Sequence, residues 1–421
     1  MEMTMSVLRR NIFSLFILQG SNNIIALLTL PYLTRVLGVE GFGVYSLTLS
    51  IAQYFVIFID FGFNLSASKR IAEHQSEPEY ISRVFFETLY AKSILCFVSI
   101  LGIVLLVSLS SYSIIKSELI YTVLMLIGTM LMPIWFFQGL EKLSIITKLM
   151  VISRLALLPL FFIFVRSDED VKFAIIIQSS LSFLAGVIAL VYIYRQKLVR
   201  AINFSSLKIT GTLKDSFPIF CAIFSNSLYG MSTTVIISIF SNIYEVSIFT
   251  AADRVKGVIL GVFLILGNAF YPRINALLVN NKPQAYALIR RIFYWQGILC
   301  VFMIVFIITF SKLITKVMFG DEYSEVSTLL ILFSPVYFLI LQSFVLGSYI
   351  LLTHGHKKEY TLIPIILAIV HIPLCAYLAS KYGARGGVMS IIAVETLSLI
   401  LLVLILKRKK LLFEVLYGNK K

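Results

Sequence analysis

The stretch "NIIALLTLPYLTRVLGVEGFGVYSLTLSIAQYFVIFID" (residues 23–60) decides the fold, because it joins two long apolar runs through a short glycine-rich turn. Only Arg35, Glu40 and Asp60 are charged within it. A helix needs about 20 mainly apolar residues to cross a hydrocarbon core roughly 30 Å thick. The stretch therefore predicts one membrane-crossing helix that ends near the turn and a second that begins just after it.

Composition extends this prediction to the whole chain. Of its 421 residues, 59% are hydrophobic and 14% are charged, whereas a soluble domain is typically about 25% charged. Apolar runs of this length predict helices, since barrel strands would be alternating segments of roughly ten residues. We therefore predict an all-α membrane protein with twelve transmembrane helices. They lie near residues 12–34, 42–63, 84–109, 118–140, 144–165, 171–194, 216–240, 246–270, 292–314, 327–352, 360–380 and 386–406.

The basic residues alternate from one predicted side of the membrane to the other. With a cytoplasmic N-terminus, 25 of the 36 basic residues fall on the cytoplasmic side, if Arg154 is counted in its loop rather than in its span. This positive-inside pattern predicts that both termini are cytoplasmic. The net charge of +15 thus reports topology rather than nucleic-acid binding, with a weak attraction to anionic lipid headgroups. The opposite side has eight basic residues: Arg35, Lys116, Arg166, Lys172, Lys312, Lys316, Lys381 and Arg385.

The chain reads as two halves. The longest link without a span lies near residues 195–215, which predicts an N-terminal six-helix lobe (1–200) and a C-terminal one (201–421). The halves echo one another weakly, "VEGFGVYSL" (39–47) resembling "YEVSIFTAA" (244–252). Paired bundles around a central cleft are a common transporter plan. The nucleotide-binding pattern GxxxxGK[ST] is missing from the sequence, which argues against ATP hydrolysis.

The strongest functional signal is "FTAADRVKGVILG" in span 8. Arg254 and Lys256 are predicted to lie roughly 12–15 Å deep, where a charge costs at least ~2.5–3.5 kcal/mol. Asp253 can pair with Lys256 at i,i+3 spacing. One carboxylate balances one cation, so the second cation has no charge partner within this stretch. We therefore expect at least one of Arg254 and Lys256 to bind substrate. On a helical wheel one face is polar and small, and it carries Asp253, Arg254, Lys256 and a GxxxG step, typical of helix packing, at Gly257 and Gly261.

Span 1 offers amides at a similar depth. Asn22 and Asn23 share a stripe with Gln19 and Ala26, and both asparagines are predicted about 17 Å from the inner edge of the span. They are candidate substrate contacts, and interhelical amide hydrogen bonding is an equally weighted alternative.

Carboxylates inside spans are candidate sites for a coupling proton or Na⁺, because burial can raise their pKa into the physiological range. A silent ion pair or buried hydrogen bond is the alternative for each. Glu87 and Lys92 in span 3 are expected to pair with each other or with neighbours. The candidate coupling or ion-pair residues are Asp253, Asp60 and Glu395.

Other motifs predict structure rather than chemistry. His371 is expected to be a hydrogen-bonded core histidine, and the H-x-H of "THGHKK" (353–358) is interpreted as a turn. In "SDEDV" (167–171), Asp168 and Asp170 have DxD spacing, but no second acidic or histidine cluster lies nearby, which favours a solvated turn. We expect no bound cofactor, no metal site and no catalytic residues.

Two stretches resemble a known family. "GSNNIIALLTLPYLTRVLGVEGFGVYSLTLSIAQYFVIFIDFGFNLSASKRIAEH" (20–74) and "PIWFFQGLEKLSIIT" (133–147) are similar to the polysaccharide transporters of the multidrug/oligosaccharidyl-lipid/polysaccharide flippase superfamily. Within this superfamily the likeness is to the O-antigen flippases, the Wzx group. The resemblance covers nearly the whole chain and is strongest in the first 150 residues. The first stretch carries it most specifically, through Pro31, Arg35, Gly38, Gly41, Gly43 and Tyr45.

The resemblance implies two six-helix lobes around a hydrated cleft that opens alternately to each side of the bacterial inner membrane. It implies an undecaprenyl-pyrophosphate-linked oligosaccharide as cargo. An inside-negative membrane potential favours outward movement of such an anion, and coupling to H⁺ or Na⁺ stays open. A polymerase and a chain-length regulator of the same pathway are the expected partners. In related peptidoglycan-precursor flippases, cations on the first, second and eighth spans matter. Here span 1 has amides instead, so only Arg254 and Lys256 carry over well, with Arg35 a weaker candidate and Gln138 a plausible sugar contact.

Two alternatives remain open. An ion-coupled drug/cation antiporter of the same superfamily would also have twelve spans, but acidic residues should dominate its cleft. An O-antigen polymerase is the enzyme alternative, and it should have a large outward loop with catalytic side chains. The predicted outward loops are all shorter than about 25 residues.

Overall fold

The computed structural model describes residues 2–108, 115–202 and 207–416, and this part of the chain contains helices and turns but no strand. Side chains are described there except at 2–19, 21–27, 229, 265–266 and 268–269. Two 3-10 turns (Asp168–Asp170, Asp321–Tyr323) and a π-helical segment (Val345–Leu352) join the helices. The helices are α1 (Glu2–Asp60), α2 (Phe63–Glu73), α3 (Pro78–Ser108), α4 (Lys116–Tyr121), α5 (Val123–Leu131), α6 (Ile134–Gly139), α7 (Leu143–Phe164), α8 (Val171–Arg195), α9 (Ile209–Phe240), α10 (Ile243–Asn280), α11 (Lys282–Phe319), α12 (Val326–Phe344), α13 (Lys357–Arg408) and α14 (Leu411–Leu416).

Helices α1 and α13 each contain a break at one glycine. With 59 residues, an unbroken α1 would be about 88 Å long, far more than a bilayer core of roughly 30 Å requires. Gly38 has φ 62° and ψ −175°, and Gly383 has φ 54° and ψ −131°. Glycine adopts such positive φ values without the penalty that a Cβ atom brings. Each break therefore divides one long helix into two shorter ones.

The break in α13 also brings a carboxylate close to the backbone. Glu245, in the first turn of α10, accepts a hydrogen bond from the Ala384 N–H at 2.6 Å. A Cβ atom at Gly383 would lie 2.5 to 2.9 Å from the same carboxylate, so only glycine fits there. A negative charge at a helix N-terminus is favourable. Glu245 therefore caps the second half of α13.

The spans agree with the sequence in position, while their number remains a prediction. Within the described ranges, eight helices are long and apolar enough to cross a membrane, or nine if the bent α9 counts as one span. All twelve predicted spans fall on these fourteen helices, with α1 and α13 each carrying two. The fourth span is interrupted at Met132 and Pro133, between α5 and α6.

Packing divides the chain into two compact units, Met1–Phe224 and Ser225–Lys421. In unit 1, α8 packs against α5 and α7, while α1 packs against α7. An aromatic group lies at its core, formed by Phe85, Trp135, Phe136 and Phe137.

In unit 2, α12 packs against α10, α11 and α13, while the short α14 lies against α11 and α13. Its aliphatic core includes Ile289, Leu346, Ile350, Leu406 and Val415.

Candidate substrate-binding site

Three charged side chains lie part-way along α10, and we call Asp253, Arg254 and Lys256 the α10 charge cluster. The helix begins after Asn242, whose side chain accepts a hydrogen bond from the Glu245 N–H at 3.0 Å. At 1.5 Å per residue, Arg254 is about 17 Å from the start of α10. The cluster therefore lies near the middle of a bilayer-thick segment, as its position in the predicted span requires.

Lys256 has two partners within unit 2. Its Nζ lies 2.5 Å from Asp253 Oδ1 and 4.9 Å from the centroid of the Phe333 ring. The Lys256 side chain is 13% exposed and that of Asp253 is 38% exposed. The predicted i,i+3 ion pair is therefore confirmed. A cation over an aromatic face gains further electrostatic attraction, so the Lys256 charge is largely balanced within the protein.

Arg254 is different, because its charge has no such balance. Its Nε is buried without a hydrogen-bond partner, and no described carboxylate lies within ion-pair distance of it. A buried polar atom left unsatisfied costs about 1–3 kcal/mol, and more when it is charged. Arg254 is therefore the cation of the α10 charge cluster that lacks a carboxylate partner among the described residues.

Gly257 follows the cluster and borders open space. A side chain placed there would meet no atom of the described residues within 4 Å. Helix packing at Gly257 is therefore not seen among the described residues, and packing by the GxxxG step stays a prediction. The space gives a ligand access to α10 one residue from Lys256.

A second arginine lies inside a helix of unit 1. Arg154 is the twelfth of the 22 residues of α7, half-buried, and its Nη1 is buried without a hydrogen-bond partner among the described residues. Counting Arg154 with a loop would therefore be wrong. The signal that could have identified it is its position: it lies about 17 Å from the first residue of α7.

Glu87 in α3 is fully satisfied by three donors. Its carboxylate accepts hydrogen bonds from Arg70 Nη2 at 2.7 Å, from Thr212 Oγ1 at 3.0 Å and from the Lys208 N–H at 2.9 Å. The Glu87 side chain is only 1% exposed. This carboxylate therefore joins α2 and α3 to the first turn of α9.

Lys92, also in α3, is equally buried and equally satisfied. Its Nζ donates to Asp60 Oδ1 at 2.9 Å and to the Met132 carbonyl at 3.3 Å. Glu87 and Lys92 therefore pair with neighbours rather than with each other. We call Asp60, Arg70, Glu87 and Lys92 the paired network. Asp60, a candidate coupling residue, already serves as the partner of a buried lysine.

The remaining candidate residues are scattered. The side chains of Asn22 and Asn23 lie outside the described part of the chain. Arg35 is exposed near the break in α1, and Gln138 is half-buried in α6, at the predicted cytoplasmic end of span 4. Glu395 is buried in the second half of α13. Of the predicted contacts, only Arg254, Lys256 and Asp253 are seen together.

The acidic stretch at residues 167–171 forms a turn and His371 is a hydrogen-bonded core histidine, as the sequence predicted. Asp170 accepts hydrogen bonds from the backbone N–H groups of Arg166 and Ser167, which closes an exposed turn. Among the described residues there is no group of three metal-ligating side chains. His371 is fully buried and its Nε2 lies 3.0 Å from Thr233 Oγ1.

Solved structures show which class of protein has this fold. "Lipid II flippase MurJ, inward closed conformation" matches with a TM-score of 0.70 and 14% identity, covering 98% of this chain and 90% of that one. "Outward-facing conformation of a multidrug resistance MATE family transporter of the MOP superfamily" matches at 0.64 and 15%, covering 98% and 97%. The chain is thus an integral membrane protein with the all-α fold of these transporters.

Sequence relatives identify the family. The family model described as "Polysaccharide biosynthesis protein" matches residues 8–278. A "Putative O-antigen transporter" of Escherichia coli (strain K12) is 31% identical over 412 residues, covering 96% of this chain and 98% of the relative. One of Shigella dysenteriae is 30% identical over 394 residues, covering 93% and 98%. The chain belongs to the polysaccharide biosynthesis protein family, and the predicted resemblance to polysaccharide transporters is confirmed. These relatives are named as transporters rather than as enzymes.

Proposed function

We propose that the chain moves an undecaprenyl-pyrophosphate-linked O-antigen oligosaccharide from the cytoplasmic to the periplasmic leaflet of the bacterial inner membrane, by alternating access. The names of its relatives support the cargo class. The single observation that carries the proposal is Arg254, a mid-helix arginine whose Nε has no hydrogen-bond partner among the described residues, three residues before the open space at Gly257. An anion in the middle of a membrane is the partner that such a group lacks.

The chemistry of the cargo explains why a cation is needed there. A prenyl tail can remain in lipid, but a pyrophosphate and its sugars cannot cross hydrocarbon without polar partners. Arg254 would donate charge-assisted hydrogen bonds to the phosphate oxygens, and these are about twice as strong as neutral ones. Lys256 would contribute less, because Asp253 and Phe333 already balance its charge.

Release of the cargo matters as much as binding. The α10 charge cluster has a net charge of +1, from two cations and one carboxylate, which holds a pyrophosphate without trapping it. An inside-negative potential favours outward movement of an anion by ~2.3 kcal/mol per charge across 100 mV. If H⁺ or Na⁺ is also coupled, Asp253, Asp60 and Glu395 are the candidate carboxylates. Asp253 and Asp60 are each already paired with a lysine.

Arg154 would provide a second anion contact, in unit 1. Tyr32 of α1 donates a hydrogen bond to the Val165 carbonyl at 2.6 Å, which fixes the relative height of α1 and α7. If both helices rise in the same direction, as predicted for spans 1 and 5, the backbone at residues 22–23 lies near the height of Arg154. We propose that Asn22 and Asn23 contact sugars at that level, with Arg35 and Gln138 acting nearer the two membrane surfaces.

Deletion of the gene in its host tests the proposed function. We expect lipid-linked repeat units to accumulate on the cytoplasmic leaflet, measured by their accessibility to an impermeant sugar-modifying reagent in oriented vesicles. Complementation with Arg254→Leu should fail, while wild type should restore surface polymer, at matched protein levels. Accumulation on the periplasmic leaflet would instead identify a polymerase. Unchanged polymer with altered drug susceptibility would identify an antiporter.

A further inference from the structure

Helices α10 and α11 enclose an apolar groove in unit 2 that is separate from the α10 charge cluster. The groove has a volume of about 680 Å³, within the range of about 300–1,000 Å³ typical of small-molecule sites. From α10 it is lined by Phe263, Gly267 and Phe270, which follow i, i+4, i+7 spacing on one helix face. From α11 it is lined chiefly by Arg291, Trp295, Gln296, Leu299 and Phe302.

The groove has a polar end and an apolar end. Arg291 is exposed, and no described carboxylate forms an ion pair with it. Gln296 is one to two turns further along α11, and the deeper lining is aromatic and aliphatic as far as Phe302. This is the polarity of a lipid molecule, with a charged headgroup followed by a hydrocarbon chain.

The length of the groove matches one leaflet. Arg291 directly precedes the predicted ninth span, which begins at residue 292, and Phe302 is eleven residues, about 16 Å, further on. Half of a core roughly 30 Å thick is about 15 Å. Trp295 lies near the predicted interface, the level at which tryptophan is enriched in membrane proteins. The groove therefore extends from headgroup level to about the bilayer centre.

We propose that the α10–α11 groove binds an anionic phospholipid of the cytoplasmic leaflet, with its phosphate on Arg291 and one acyl chain along Leu299 and Phe302. The positive charge selects an anionic head, and the one-leaflet length suits an acyl chain better than a much longer prenyl chain. A bound lipid here would stabilise the α10–α11 hairpin that carries the charge cluster. The proposal does not depend on which cargo the protein transports.

The two tryptophans of the chain make the test direct. Trp295 is 64% exposed and lines the groove, whereas Trp135 is 1% exposed in the core of unit 1. Bromine atoms on a lipid chain quench tryptophan fluorescence on contact. In phosphatidylcholine vesicles containing a minor fraction of brominated lipid, Trp295 should report the lipid in the groove, while Trp135 supplies an unquenched signal that also reports correct folding.

We expect brominated phosphatidylglycerol to quench Trp295 at a mole fraction about fivefold lower than brominated phosphatidylcholine, since one basic residue attracts an anionic headgroup by ~1 kcal/mol. Arg291→Gln should abolish this preference. Arg290→Gln should retain it, because the neighbouring Arg290 does not line the groove. Equal quenching by both lipids in the wild type, or a preference that survives in Arg291→Gln, would overturn the proposal.

A competition experiment and a second pair of variants separate the sources of lipid. Unlabelled phosphatidylglycerol should relieve the quenching. If undecaprenyl phosphate relieves it instead, the groove holds a prenyl lipid and the proposal is wrong. In native mass spectrometry, Leu299→Phe should lose the phosphatidylglycerol adduct by filling the groove, and Val305→Phe, exposed on the same helix outside the groove, should keep it. Retention of the adduct by both variants would contradict the site.

Discussion

Two regions of the protein differ in whether their buried charged groups have partners. In the paired network of unit 1, the buried Glu87 and Lys92 each have two or more partners within hydrogen-bond distance. In the α10 charge cluster of unit 2, Lys256 is paired, but Arg254 has a buried nitrogen with no partner among the residues that the structure describes. A fully satisfied charge holds helices together, whereas an unsatisfied one lowers stability unless a ligand completes it. The comparison separates structural charges from candidate binding charges without reference to sequence position.

The largest effect is expected from breaking the paired network. Glu87→Ala leaves Arg70, Thr212 and the Lys208 N–H without their acceptor, and removing one partner of a buried ion pair typically costs about 3–5 kcal/mol. We expect a clear loss of thermal stability of the purified protein in detergent, measured by unfolding of the whole chain. Glu73→Ala is the matched control, because its i,i+4 pair with Lys69 is largely exposed and should contribute about 0–1 kcal/mol. Similar losses in the two variants would contradict the distinction.

Arg254→Leu should show the reverse behaviour. The substitution removes a buried nitrogen that has no partner among the described residues, so unfolding stability should stay the same or rise. Binding of undecaprenyl pyrophosphate should weaken by about 1.5–3 kcal/mol, the contribution of a hydrogen bond to a charged group, which is roughly tenfold or more in Kd. Isothermal titration in detergent measures this loss. Arg254→Lys should recover part of it, because the charge returns without the bidentate geometry.

If Arg254→Leu lost both unfolding stability and affinity for undecaprenyl pyrophosphate, the interpretation of Arg254 as a binding group would be wrong. That result would indicate an unseen structural partner rather than a ligand. The same pair of measurements on Arg154→Leu asks whether the mid-helix arginine of unit 1 behaves like Arg254 or like the paired network.

A smaller effect is expected from Asp253→Asn, which frees Lys256 from its ion pair. A partly exposed pair is worth about 0.2–1 kcal/mol, so affinity for a pyrophosphate should rise by up to about fivefold. Turnover should fall, since a carrier that binds more tightly releases more slowly. Binding affinity and transport rate, both measured in proteoliposomes, check this expectation. Glu245→Gln is not a suitable control, because Glu245 caps the second half of α13. A rise in both quantities would contradict release of the cargo as the step that limits transport.

Whether a feature could be predicted from the sequence depends on how far apart in the chain the interacting residues lie. Apolar run lengths predicted the helices, and i,i+3 spacing predicted the Asp253–Lys256 pair, because both are local. The partners of Glu87 were not predictable, since Thr212 is 125 residues away in the chain and meets it only through packing. Arg154 was ambiguous because helix boundaries are uncertain by a few residues. The role of Gly383 was also hidden, because the Glu245 carboxylate that excludes a Cβ atom there comes from another helix.

The smallest expected effect concerns α14, at the end of the described chain. Glu414 of α14 accepts hydrogen bonds from Tyr286 Oη at 3.1 Å and Lys282 Nζ at 3.2 Å, and Tyr286 Oη also lies 3.1 Å from His354 Nε2. Burial lowers the pKa of His354 below its usual value, with the nearby Lys282 and His356 adding to the shift and Glu414 opposing it. Despite its burial, the pKa of Glu414 is also lowered, by the hydrogen bonds from Lys282 and Tyr286.

Both shifts act in the same direction on the docking of α14. A group whose pKa is lower in the folded state stabilises that state above its unfolded pKa and ceases to do so as the pH falls. The contribution of His354 should therefore be lost below about pH 6.5, and that of Glu414 below about pH 4.3. Hydrogen exchange at residues 411–416 should rise modestly between pH 7 and pH 5.5, after correction for intrinsic exchange rates. In His354→Gln the rise should disappear over that interval, because Glu414 has not yet begun to titrate; an unchanged rise would mean that the docking of α14 does not depend on His354.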